Sequence, residues 1–310
     1  MDLSVGKPIE ISDKKLFDKY FQKYPPEISE FTFTNLFMWR NYYNFSFIVF
    51  KEHLILFSYD YLKNRRKPIN TDSEDNLYFF PPIGPSPDKI ILELFENLDN
   101  IEVHRVPEDI CEKLKESEIF TKLNLECLED RNNWDYVHDK EEILNLAGNK
   151  YRQNRRWLQK FINIYDYDFQ LLSQDLIEKC KELQLEWCII QACTEDESLE
   201  AEQAAIYEAL DNFNALGFSG GIICVNDECA AYTFGEMLNH NTLVIHIEKA
   251  HREYEGSYQA INNFFLKNCC ADAIYVNREQ DLGIEGLRRA KESYKPIHMV
   301  KKSIIYRKKN

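Results

Sequence analysis

No run of about 18 apolar residues occurs in the chain, so nothing in it is long and apolar enough to cross a bilayer as a helix. The opening MDLSVGKPIE lacks the basic start and apolar stretch of a secretory leader, and a cytoplasmic protein is expected. Nine cysteines are present without a C-x-x-C pair. Cys188/Cys193, Cys224/Cys229 and Cys269/Cys270 lack zinc-site spacing, so no metal is expected, and the odd, scattered count fits reduced thiols. There is no short repeat of the solenoid kind. Basic residues fall short of acidic ones, 38 against 52, and the net charge of −14 argues against phosphate-driven binding of nucleic acid over the whole surface.

Aromatic residues are plentiful, with 20 Phe and 18 Tyr, and 310 residues suit two cores better than one. Charge is unevenly placed. Lys150, Arg152, Arg155, Arg156 and Lys160 form a basic run with no acid inside it, and Arg288 to Lys309 is basic apart from Glu292. Such runs are either solvated faces or the footprint of an anionic ligand.

A helix is expected from Asp13, stopped by Pro25-Pro26, and the aromatic stretch Ser29 to Tyr43 reads as core. Phe45 to Phe50 and His53 to Tyr59 read as a hairpin, Tyr61 to Asp75 as a polar loop, and Leu77 to Phe80 as a strand. Helices over 88–97 and 108–116 alternate with strands over 101–106 and within 123–136. The spacing predicts one helix from Leu144 to Tyr165, then helices over 174–187 and 198–213. Three strands follow, 220–225, 229–234 and 243–249, the first two joined by an Asn226-Asp227 turn. After them come a helix from Gly256-Ser257, a short strand over 273–276, a helix over 284–294 and a last strand over 299–306. This order predicts an α/β fold of mixed sheets, repeated in two tandem domains, 1–145 and 146–310.

Chemistry concentrates between Leu243 and Pro296. Strand alternation puts His246, Glu248 and Ala250 on one face and Ile247 and Lys249 on the other. The polar cluster Asn277, Arg278, Glu279, Gln280, Asp281 follows the next strand, and α/β folds present chemistry at strand carboxyl ends. Acyl transfer needs a base near the nucleophile and donors for the oxyanion, so Glu248, His246 and Asp281 are the catalytic candidates. Lys249, Ser257, Tyr258, Asn277, Arg278, Glu279 and Lys291 are the candidates for substrate binding. Ser257 is not placed as a nucleophile, because no G-x-S-x-G turn surrounds it. Against these roles stands a structural ion-pair network: charges after an apolar strand are costly to bury unless paired.

The element order resembles the GNAT acyltransferase fold. His246-Ile247-Glu248-Lys249-Ala250, Gly256-Ser257-Tyr258-Gln259-Ala260-Ile261-Asn262, Asn277-Arg278-Glu279 with Asp281-Leu282-Gly283, and Gly286-Leu287-Arg288 with Ala290-Lys291 and Ser293-Tyr294 resemble the phosphatidylglycerol lysyltransferase C-terminal family in a stand-alone form. That resemblance implies tandem GNAT-like domains related to Fem-type aminoacyltransferases. It implies aminoacyl-tRNA as donor, with Arg152, Arg155 and Arg156 as tRNA contacts. For membrane-attached relatives it implies a lipid head group as acceptor; this sequence carries no membrane domain, and a small-molecule acceptor stays open. Ordinary GNAT enzymes cradle CoA pyrophosphate in an Arg/Gln-x-x-Gly-x-Gly/Ala turn before a helix. Here Arg252-Glu253-Tyr254-Glu255-Gly256-Ser257-Tyr258 has one glycine and two carboxylates, so no CoA cofactor is expected.

Two classes of function follow. One is an enzyme moving an aminoacyl or acyl group onto an amine or hydroxyl, with an acetyl-CoA-dependent N-acyltransferase as its variant. The other is a non-catalytic module binding a small ligand. The first half lacks an equivalent polar cluster and is expected to be a scaffold.

Overall fold

The structure, a computed structural model, describes residues 1–61, 69 and 76–309. The polar loop expected over 61–75 therefore lies, apart from Tyr61 and Ile69, outside the described residues. The chain forms two compact units, residues 1–135 with 300–310, and residues 136–299.

The first unit begins with strands Lys7–Pro8 (β1), Ser46–Phe50 (β2), His53–Ser58 (β3), Leu77–Phe79 (β4), Ile101–Pro107 (β5) and Leu125–Glu129 (β6). Lys51 and Glu52, which join β2 to β3, both take positive φ (46° and 61°), the twist that a tight hairpin demands. β4 and β5 run parallel, so they need a crossover, and helix Pro87–Asn97 supplies it. Its Ile90, Ile91, Leu94 and Phe95 follow the helical period and pack with Phe79, Val103 and Ile305 in this unit's core.

The second unit contains Asp135–Asp139 (β7), Tyr167–Leu171 (β8), Ser219–Val225 (β9), Glu228–Met237 (β10), Thr242–Ala250 (β11), Tyr275–Asn277 (β12) and His298–Val300 (β13). β8 to β11 form an antiparallel meander; Asn226 and Asp227 make the expected turn, both with positive φ. β11 and β12 are parallel, and the crossover helix Ser257–Asn268 buries Ala260, Ile261, Phe265 and Leu266 against Ile223, Leu243 and Val276. The final strand, Lys302–Arg307 (β14), belongs to the first unit.

Strand order is β1-β2-β3-β4-β5-β14-β6 in one sheet and β13-β7-β12-β11-β10-β9-β8 in the other. Both follow one plan, an antiparallel run closed by one parallel pair. Each then has a strand inserted beyond the parallel pair, and in the first unit it comes from the far end of the sequence.

Several expectations change. Contiguous halves meeting at 145/146 give way to a boundary at 135/136 with a returning tail. The single strand expected over 299–306 is two strands in different sheets. The helix expected over 144–165 is broken: Leu146 turns left-handed (φ 49°) and Gly148 also has positive φ (79°), leaving helices Lys140–Asn145 and Arg152–Ile164. Strand β8 has no counterpart among the expected elements, because most of its residues stay exposed or half-exposed. Finally, Cys188 and Cys193 form a disulfide, where reduced thiols were expected throughout. Among the described residues no helix is long and apolar enough to cross a membrane.

Candidate active site

Register determines what lies where. β11 pairs with β12 only at Thr242, Leu243 and Val244, opposite Tyr275, Val276 and Asn277, while β11 continues to Ala250. On its other edge Phe234 faces Ile247 but Gly235 faces Ile245, so His246 is the extra residue of a β-bulge. Gly235 is required there: a Cβ would lie 2.1 Å from the Val244 carbonyl oxygen. The bulge reverses the alternation, and Ala250 shares the core of Leu243 and Ile245 despite the odd spacing. Glu248 consequently turns to the crossover-helix side, and His246 does not share its face as strict alternation predicted.

On the crossover-helix side, one Glu248 oxygen accepts from Asn262 Nδ2 at 3.0 Å and the other from Arg278 Nη2 at 2.9 Å. Both charged side chains are nine-tenths covered, 13% and 10% exposed. The Arg278 guanidinium lies 4.6 Å from the centre of the Tyr294 ring, a cation–π contact in low dielectric. Its Nη1 is buried and has no hydrogen-bond partner among the described residues, and the same holds for His138 Nε2. His138, on β7 opposite Val276, approaches the Tyr294 carbonyl through Nδ1 at 3.2 Å. A carbonyl only accepts, so Nδ1 carries the proton and Nε2 the lone pair. Burial first, and then the Arg278 charge, hold this imidazole down to about 3, hence neutral.

On the opposite side His246 bridges two carboxylates, Nδ1 to Glu279 at 2.8 Å and Nε2 to Glu236 at 3.1 Å. Burial works against its charge, but the two carboxylates outweigh it and the group is pushed up to about 9. Both ring nitrogens are engaged, and His246 joins Glu236 to Glu279. Fully buried, Asp281 accepts from Tyr136 Oη at 2.6 Å, Arg288 Nε at 2.9 Å and Nη2 at 3.0 Å, and the Gly283 N–H at 2.7 Å. Burial would raise its pKa; these donors, led by Arg288, more than offset that and hold it below the usual carboxylate range. Asp281 thus ties the loop after β12 to Tyr136 and Arg288.

The other expected residues scatter around this centre. Asn277 is buried and its Oδ1 caps the Glu279 N–H at 2.8 Å. Lys291 donates to the Gln280 carbonyl. Lys249 sits 3.5 Å from the centre of the Trp187 ring and pairs with Glu202 at 2.6 Å. Ser257 is buried with its hydroxyl 3.4 Å from the His251 carbonyl, and Tyr258 is 36% exposed. At Gly256 (φ 87°) a Cβ would lie 2.3 Å from the Trp157 carbonyl oxygen, so helix Arg152–Ile164 is packed against this turn. In the basic run, Arg155 donates to the Leu146 and Gly148 carbonyls, closing the helix break, and Lys150 and Lys160 pair with Glu142 and Glu255. Arg152 and Arg156 remain exposed.

Three residues of the site were not singled out in the sequence: His138, Asn262 and Glu236. His138 enters only because β7 inserts beside β12, a pairing across more than half the unit's length that no local pattern signals. Asn262 lay within the motif, spaced one helical turn from Tyr258, and could have been found by facing that helix toward Glu248.

The family described as "Phosphatidylglycerol lysyltransferase, C-terminal" matches residues 21–306. A conserved protein of unknown function from Bacteroides thetaiotaomicron VPI-5482 is 31% identical, with 97% of this chain and 98% of that one aligned at a TM-score of 0.85. L-PGS from Bacillus licheniformis shares the fold at 12% identity, covering 99% and 94% of the two chains, with a TM-score of 0.66. FemX shares it at 9% identity, 98% and 97% coverage and a TM-score of 0.57. The two units are thus tandem GNAT-like domains of the kind found in L-PGS and FemX, and the chain belongs to the phosphatidylglycerol lysyltransferase C-terminal family.

Proposed function

We propose that this protein is an aminoacyltransferase that moves an aminoacyl group from aminoacyl-tRNA to an amine or hydroxyl acceptor at the Glu248–Arg278 centre of the second unit. The observation carrying this reading is the spare bonding capacity of that pair. A carboxylate offers about four acceptor positions, and Glu248 uses two on Asn262 and Arg278. Arg278 keeps Nη1 in reserve. In the step envisaged, the acceptor N–H or O–H gives its proton to Glu248, directly or through a water. The acceptor atom then bonds to the ester carbonyl carbon, whose oxygen becomes an oxyanion able to accept from Arg278 Nη1. The C–O bond to the tRNA ribose breaks, and the ribose oxygen takes the proton back. Atoms and charge balance without a cofactor.

Family membership supports an aminoacyl donor. The turn before helix Ser257–Asn268 adds to this: Glu255 is ion-paired to Lys160 and the Trp157 carbonyl closes on Gly256, an arrangement poorly suited to a pyrophosphate. Arg152 and Arg156 are the exposed residues offered to the tRNA backbone, and Tyr258 and Lys291 are offered to the acceptor; Lys249, buried and paired with Glu202, is left out of that role. The first unit is taken as the scaffold. One observation favours the second reading, a non-catalytic binding module: His246, Glu279 and Asp281 are all engaged in pairs.

Radiolabelled aminoacyl-tRNA incubated with the protein and cell extract separates the readings. The expected result is label moving into a small or lipid product, lost in Glu248→Gln. Equal transfer by wild type and variant removes this site; no transfer with retained ligand binding favours the module. Micromolar acetyl-CoA binding by calorimetry would overturn the choice of donor.

A further inference from the structure

Cys111 lies on helix Glu108–Lys115 and Cys127 on β6, the edge strand of the first unit's sheet. Neither takes part in the chemistry above. Folding brings their side chains to the same core and the same hollow. Both line one hollow of about 140 Å³, together with Lys115, Trp134 and Ser303. Cys127 is partly exposed, whereas Cys111 is 3% exposed and its Sγ sits 3.9 Å from the Val106 carbonyl oxygen. The neighbouring Cys127 thiol draws the Cys111 thiol below the usual range; burial opposes this, and the Ser303 hydroxyl and Lys115 charge reinforce it. The Cys127 proton is correspondingly harder to remove.

We infer that Cys111 and Cys127 form a redox-modification site at which hydrogen peroxide entering the hollow closes a disulfide between helix Glu108–Lys115 and edge strand β6. The Cys111 thiolate attacks the near peroxide oxygen. The O–O bond breaks, water leaves once the far oxygen is protonated, and Cys111 is a sulfenic acid. The Cys127 sulfur then attacks the Cys111 sulfur, the S–S bond forms, and the sulfenic oxygen departs as a second water. Two thiols are oxidised and one peroxide is reduced, which balances the electrons. The other cysteines are worse placed. Cys188 and Cys193 are already joined, and Cys180, which meets Cys229, is fully buried. The inference is independent of the proposed transfer reaction.

The test uses the full chain, reduced, desalted, titrated with hydrogen peroxide, alkylated and mapped by peptide mass spectrometry. A Cys111–Cys127 cross-linked peptide is expected at about tenfold lower peroxide than any Cys180–Cys229 cross-link. In Cys127→Ser, dimedone is expected to trap a sulfenic acid on Cys111. Full alkylation of both thiols after peroxide, earlier cross-linking of Cys180 to Cys229, or trapping elsewhere in Cys127→Ser would each overturn the assignment. If that variant folds poorly by circular dichroism, the wild-type cross-link order still decides.

Discussion

Two charged clusters, one in each unit, are built from the same residue types and end in different states. In the first unit Lys302, fully buried, pairs with Glu30 at 2.5 Å and Asp135 at 2.6 Å. Asp135 also accepts from the Ser29 N–H and hydroxyl, and Arg105 bridges Glu30 and Asp130 at 2.8 and 2.9 Å. Burial pushes Glu30 upward against the pull of Lys302 and Arg105. The members of this cluster are dispersed over the first half and the C-terminal tail, unlike the contiguous stretch Asn277 to Asp281. In the second unit, Glu248 and Arg278 keep some exposure and unused hydrogen-bonding capacity. Charge density is therefore a poor marker of a site. Each cluster holds buried atoms without a hydrogen-bond partner among the described residues, Glu30 Oε1 and Arg105 Nε in the first and Arg278 Nη1 in the second. What distinguishes the two is the fully buried Lys302–Asp135 pair at the centre of the first, against a Glu248–Arg278 pair that keeps some exposure.

The largest effect expected from this contrast is on stability. Lys302→Met strands two buried carboxylates and should cost about 3–5 kcal/mol, read by urea or thermal unfolding. A loss below about 1 kcal/mol would mean that water reaches the first cluster and the contrast fails. Glu248→Gln should do the reverse. It keeps an acceptor for Arg278, so stability should change by about 1–2 kcal/mol at most, while the rate of label transfer falls about 100-fold or more.

His246 gives a pH test. Its folded pKa, about 9, lies above the ordinary value of 6.5, so its contribution is complete below pH 6.5 and is lost as pH rises through 9. Unfolding free energy should fall over that window by on the order of 3 kcal/mol, seen as a falling melting temperature, and His246→Gln should flatten the slope. A wild-type curve as flat as the variant's would show that the imidazole is neutral. The smallest effect concerns the basic run: Arg152→Glu with Arg156→Glu should weaken tRNA binding and reduce the slope of log affinity against log salt by about 2. Salt-independent binding would count against a tRNA partner. Arg155→Gln should act on stability, because that guanidinium is bonded to backbone carbonyls.

Legibility in the sequence followed the range of the forces involved. The hairpins, the crossover helices and the Asn226-Asp227 turn rest on periodicity and turn chemistry, which are local, and they lie where the sequence puts them. The Glu248–Arg278 meeting was within reach because Glu248 lies on β11 and Arg278 directly follows its neighbour β12. The break at Leu146 was not, since it depends on Arg155 capping carbonyls from the next helix. Nor was the bulge at His246, which exists only as a mismatch of register between two strands.

The sequence by itself determined the element types, the tandem mixed-sheet plan and the stretch where chemistry gathers, because apolar spacing and turn residues act over a few positions. Tertiary structure alone decided which strand completes each sheet, and with it which charges meet. Insertion of β7 and β14 brings His138 to Arg278 and Lys302 to Glu30. A carboxylate's role depends on the donors that surround it, and those donors come from sequence positions that no short window contains.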